Sequence, residues 1–252
     1  DAAGKITAQF TIEHTADGFA TLLARLGRLA DDPMQVSVAL ERPDGRLVDA
    51  LLEAGYPVVP VSPNAIKTWR DGEVLSGAKS DAGDAAVIAE YLRLRSHRLR
   101  PATPFTAQTK AVRTVVRTRD DIVAMRTAAT NQLTALLDAH WPGATKIFAD
   151  IESPIALEFL TRYPTAKHAA GLGEKRMHTF CVKHGYSGRR PAAELLARLR
   201  AAPAGTTDPD LVEAVRDAVL ALVAVLRTLG AVRKDLDRSV TAHLGEHPDA
   251  AI

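Results

Sequence analysis

A single cysteine, Cys181, in 252 residues excludes a disulfide framework and a cysteine-rich zinc module. His178 and His184 lie near it, but a tetrahedral metal site would still lack its fourth ligand, so an idle or buried thiol is the expected state. Aromatic residues make up only 5% of the chain, with two tryptophans, Trp69 and Trp141, which read as packing anchors. No run of about 18 uncharged apolar residues occurs, so no membrane-spanning helix is expected. No basic stretch leading into an apolar core follows Asp1, so no signal peptide is expected either, and a cytoplasmic setting is the default. Gly171-Leu-Gly173-Glu-Lys175 lacks the full phosphate-loop pattern and a preceding strand. There is no internal repeat. What is present is 46% apolar residues, enough to bury one large core or two small ones.

The chain also lacks charge of one sign, its net charge being +2, which taken alone argues against a nucleic-acid binder. That average hides an asymmetry. Residues 1–90 carry 8 basic and 14 acidic side chains, a net of −6, whereas residues 91–200 carry 19 and 8, a net of +11. An acidic first part and a basic middle suggest two units with different tasks.

Residues 5–13 (KITAQFTIE) alternate apolar and polar, the pattern of a strand. Thr15 is placed to cap a helix with Phe19, Leu22, Leu23, Leu26 and Leu29 on one face. Residues 35–41 (QVSVALE) and 56–61 (YPVVPV) read as short strands, with a helix over Leu47–Ala54 between them that stops at Gly55. Strands and helices alternating at this spacing predict an α/β layer with a partly parallel sheet. After the loop DGEVLSGAKS (71–80), Ser80 is a good cap for a helix running to about His97. Beyond Pro101 and Pro104 the pattern is purely helical. Two long amphipathic arms are expected over 108–140 and 209–244, the second with apolar residues in alternating steps of three and four, as in a coiled coil. A small helical insert over 154–201 separates them. The expected domains are thus 1–100 and 101–252.

The residues best placed for chemistry are Glu41, at the carboxyl end of a strand, and Asp81 with Asp84, in the first turn of a later helix. Ligand sites in open α/β sheets lie at strand carboxyl ends, and helix residues three apart share a face. Converging carboxylates repel unless a hard cation neutralises them, and Mg²⁺ bound by carboxylates and substrate phosphates meets that need. Spacing alone leaves the plainer reading open, because the helix dipole favours first-turn aspartates and strand-end carboxylates are often simply solvated.

The segments VALERPDGRLVDALLEAGYPVVPVSPNAIKTWR (38–70) and SGAKSDAGDAAVIAEYLR (76–93) resemble the DEDD transposases of bacterial insertion sequences, which are bridge-RNA-guided recombinases. The first segment carries that family's strand-end glutamate at Glu41, and the second its K-S/T-D-x-x-D-A block at Lys79 to Ala85. YSGRRPAAELLARLRAAP (186–203) extends the likeness. The resemblance implies an RNase H-like, RuvC-like first domain followed by a helical domain. It also implies a metal site in which Glu41, Asp81 and Asp84 hold Mg²⁺, with DNA strand cleavage and exchange as the activity. The family's first aspartate lies on an opening strand and its serine nucleophile in a C-terminal domain. Neither has a counterpart here, so truncation at both ends and an inactive fragment are expected.

The basic connector completes the picture. Arg93, Arg95, Arg98, Arg100, Lys110, Arg113, Arg117, Arg119 and Arg126 against Asp120 and Asp121 give +7 over 34 residues. Backbone phosphates need little more than such a stripe, although charge runs are also common on solvated faces. With few aromatics interleaved, duplex or backbone contact is expected over base stacking. The expected partners are DNA, a guide RNA of the kind the resemblance implies, and a second copy paired through the helical arms. Two alternatives stand beside the recombinase reading: a non-catalytic nucleic-acid-binding dimerisation scaffold, and a RuvC-like endonuclease acting on branched DNA.

Overall fold

A computed structural model describes residues 3–73 and 81–248. The chain divides into two compact units, Asp1–Phe105 and Thr106–Ile252. It is mostly helical, with one small parallel sheet. Among the described residues no helix is long and apolar enough to cross a membrane.

In the first unit α1 (Ala16–Leu26) begins where Thr15 accepts a hydrogen bond from the Gly18 amide. Strand β1 (Val38–Leu40), helix α2 (Arg46–Glu53) and strand β2 (Val58–Pro60) form a parallel crossover unit. Its register pairs Val38 with Val58 and Leu40 with Pro60. Gly55, at φ +83°, turns the chain out of α2 in a conformation that favours glycine. Val48, Leu51, Tyr56 and Val58 form the core, and Leu22, Leu23 and Leu26 of α1 pack against it. Helices α3 (Pro63–Glu73) and α4 (Asp81–Arg95) follow, and α4 packs against both β1 and α3.

Two local expectations change. Residues 5–13 form no strand, because a strand exists only as one side of a ladder and no described segment pairs with them. Ile6 and Phe10 are both left exposed, with the Arg25 guanidinium 4.2 Å from the Phe10 ring. The sheet among the described residues therefore has two strands. Helix α3 was also not expected, although Ser62-Pro63 is a serviceable start, since proline is well tolerated in a helix's first turn. The expected cap at Ser80 lies outside the described residues.

The second unit is built on two long helices, α5 (Ala107–His140) and α10 (Pro209–Gly245), with α6 (Pro154–Arg162), α7 (Ala166–Ala169), α8 (Glu174–Lys183) and α9 (Ala192–Ala201) between them in sequence. Thr106 caps α5 and Asp208 caps α10. The long helices run antiparallel. Thr109 meets His247, Arg119 donates to Asp237 at 2.6 Å, and His140 meets Thr206. Their apolar stripes pack on one another within the chain. Leu133 and Leu137 of α5, with Val215, Val219, Val223 and Leu226 of α10, join the aromatic cluster of Trp141, Phe159 and Phe180.

Gly143 lies in the short turn that follows α5 and packs against Leu199 of α9. A Cβ there would lie 2.4 Å from the Leu199 carbonyl oxygen. Because that oxygen belongs to a helix backbone, Gly143→Ala is expected to destabilise the unit by about 1–3 kcal/mol. A thermal melt reads this as a lowered Tm, whereas an unchanged Tm would show that α9 can shift without cost.

Candidate functional site

Glu41 immediately follows β1 and is exposed. Asp81 and Asp84 lie in the first turn of α4, Asp81 exposed and Asp84 half-buried. The Asp84 carboxylate accepts a hydrogen bond from the Arg70 guanidinium of α3. The two side chains are 45% and 23% exposed, so the pair is worth only about 0.2–1 kcal/mol and is displaceable. Hard carboxylate oxygens are the right donors for Mg²⁺. Yet among the described residues no three Asp, Glu, His or Cys side chains form a metal-binding group, and one Asp84 oxygen is taken by a cation of the protein itself. In this arrangement the described residues do not form a divalent-ion site. Lys79, which opens the K-S-D-x-x-D-A block, lies outside the described residues.

The nine cations of the connector are divided between the units. In the first, Arg93 donates to Glu90 at 2.6 Å. That hydrogen bond holds the Glu90 carboxyl below its usual range and pushes Arg93 up. Arg95 lies over the Trp69 ring, while Arg98 and Arg100 are exposed. In the second unit Lys110, Arg113 and Arg117 follow one another by three and four residues, which puts them on one face of α5. Lys110 and Arg117 are exposed and Arg113 is half-buried. Arg119 and Arg126 have a different task. Arg119 binds Asp237 of α10, lowering that carboxyl below its usual range, and Arg126 pairs with Glu152. Both ion pairs tie the helical unit together.

Cys181 is buried, and burial pushes its thiol up. It lines an open groove of about 830 Å³ with Lys175, His178, Tyr186 and Arg190, where no metal-ligand group forms among the described residues.

The sequence pattern of the IS110-type DEDD transposases matches residues 1–142. The chain belongs to that transposase family. This match takes in Glu41, Asp81, Asp84 and every cation from Arg93 to Arg126. Over 262 aligned residues, all of this transposase chain is 31% identical to a protein named as a transposase of the IS117 mini-circle of Streptomyces coelicolor, of which 62% is covered. A protein named as transposase y4uE of Sinorhizobium fredii is 27% identical over 188 residues, 73% of this chain and 52% of that protein. The transposase chain thus spans between about half and three fifths of the length of these curated relatives.

Two features of this transposase chain have no signature in its sequence. Arg70 is the partner of Asp84, and Tyr91 is the partner of Trp69, their rings 5.6 Å apart. Both arise from the packing of α3 on α4, and no spacing rule within either helix signals it.

Proposed function

We propose that this chain is the part of a DNA transposase that grips nucleic-acid backbone and presents carboxylates to the scissile phosphodiester. The observation that carries this reading is the family match, which spans the carboxylates and the cations together. Glu41, Asp81 and Asp84 are the residues assigned to strand cleavage and exchange. Mg²⁺ is the ion that the family resemblance implies, and Arg70 occupies the Asp84 carboxylate that would help to hold it. A RuvC-like, RNase H-type fold for the first unit belongs to the same proposal, supported by the parallel β1–α2–β2 crossover.

Arg93, Arg95, Arg98, Arg100, Lys110, Arg113 and Arg117 are assigned to phosphate contact, with DNA as one partner and a guide RNA as the other. Salt dependence tests this. Neutralising one phosphate contact lowers the slope of log affinity against log salt by about 0.9 on duplex DNA. Replacing Lys110, Arg113 and Arg117 together by glutamine is therefore expected to lower the slope by about 2–3, read by filter binding across a salt series. An unchanged slope removes this face of α5 from the interface.

The scaffold reading is favoured by one observation, the Arg70–Asp84 pair, which neutralises a carboxylate that catalysis would use. The two readings part on strand cleavage, since both predict binding. A homo-oligomer through the arms is also proposed. Because α5 fills the α10 stripe around Val215–Leu226, such pairing would use apolar side chains the hairpin leaves outside, such as Val225, Val232 and Leu244.

A further inference from the structure

We propose that the groove between α3 and the end of α4 binds one unpaired nucleotide, its base stacked on Trp69 with an edge against Tyr91 and its phosphate held by Arg95 and Arg98. This rests on the nucleic-acid reading above and adds a site to it. The groove has a volume of about 520 Å³, within the range of small-ligand pockets.

Three properties of its lining point to this ligand. The first is the aromatic corner. The Trp69 and Tyr91 rings meet at 77° with centroids 5.6 Å apart, giving two walls to a flat heterocycle. Trp69 is only half-buried, unlike Trp141, which is closed into the helical core at 4% exposure. The Trp69 ring stands at the mouth of the groove under the Arg95 guanidinium, which a stacking base displaces toward the phosphate.

The second is charge. Among the described residues the lining carries two guanidinium groups and no carboxylate. Arg95 stands 5.3 Å over the Trp69 ring, and Arg98 is exposed three residues further on. Among the described residues neither arginine makes an ion pair. Resting on a ring's π-face costs Arg95 little, and a phosphate offers both cations a far stronger partner. The third is the polar wall. Asn64 and Thr68, four residues apart on α3, line the same groove and supply hydrogen-bonding groups for base edges or sugar hydroxyls.

A free phosphate would not use the aromatic corner, and an apolar peptide would not use two cations. Bases in a duplex are already stacked and cannot enter. An unpaired nucleotide satisfies all three properties, and stacking of this kind tolerates any base.

Tryptophan fluorescence tests the proposal directly, because the chain has only two tryptophans and Trp141 supplies a constant buried background. Short oligo(dT) and oligo(U) strands are titrated against the chain, with duplex DNA of equal length as a comparison. The expected result is quenching on saturation with single strands, absent in Trp69→Leu. Single-strand affinity should fall between about 5- and 150-fold in Trp69→Leu, while duplex affinity changes by less than about twofold, since the duplex keeps its own stacking. Arg95→Gln with Arg98→Gln, both changes at the rim and checked by circular dichroism, should weaken single-strand binding without unfolding the unit. Quenching by oligo(U) alone or oligo(dT) alone supports the site and names its strand. Single-strand binding that is equally tight in Trp69→Leu and quenches nothing overturns the pocket and leaves the backbone-gripping reading intact. Failure of every nucleic acid to bind the native chain overturns both.

Discussion

Exchanging Asp84 for alanine in a full-length transposase carrying this chain is expected to lower DNA strand cleavage by about 10²–10³-fold or more, the scale seen when one electrostatic group is removed from a catalytic centre. The same change should move stability by less than about 1 kcal/mol, because the Arg70–Asp84 pair is weak at its degree of exposure. The separation between the two effects is the test. A structural carboxylate would alter stability and cleavage together. Arg70→Gln removes the same ion pair and leaves the carboxylate in place, so it should keep cleavage while Asp84→Ala loses it. Cleavage by Asp84→Ala at the native rate would take Asp84 out of the site and leave the scaffold reading standing.

The largest expected effect on stability is at Phe159. Its ring is 1% exposed and touches four others: Trp141 stacked at 6.0 Å, Phe148 at 5.8 Å, Tyr163 at 5.1 Å and Phe180 at 5.6 Å. Truncation to alanine loses the buried ring and opens a cavity among stiff neighbours that cannot all collapse into it, a cost of about 3–5 kcal/mol. For a unit of this size each kcal/mol lowers Tm by about 2–4 °C, so calorimetry should show a fall of about 10 °C. Met125→Ala, on the exposed side of α5, should stay within about 0.5 kcal/mol. Equal Tm values for the two variants would mean that the aromatic cluster does not hold the unit together.

Long-range periodicity made the helical unit legible. The apolar steps of α5 and α10, with breaks at Trp141-Pro142-Gly143 and Pro209, place both helices to within a residue or two of their observed ends. Local caps served equally well at Thr15 and Gly55. The failures share a cause, because each depends on what lies across a packing interface. The alternation over 5–13 records only that a strand could form, whereas a strand also needs a partner. Arg119 and Arg126 look like Arg113 and Arg117 in sequence, and nothing in the spacing shows that Asp237 and Glu152 approach the first two to tie the helical unit together. Residue type and position single out Glu41, Asp81 and Asp84, but the Arg70 contact has no sequence signature, because it needs α3 laid against α4.

The unbroken length of α5 sets the spacing of its cations. Lys110 and Arg117 are seven residues apart on a continuous helix, so they are about 10 Å apart along its axis. Successive phosphates on one strand of DNA advance about 3.4 Å along the duplex, so the three cations of this face measure out about three nucleotides. A helical turn of DNA is about 34 Å. In the proposed contact with DNA this face would cover one short stretch of backbone, and a footprint a full turn long would need other surfaces as well.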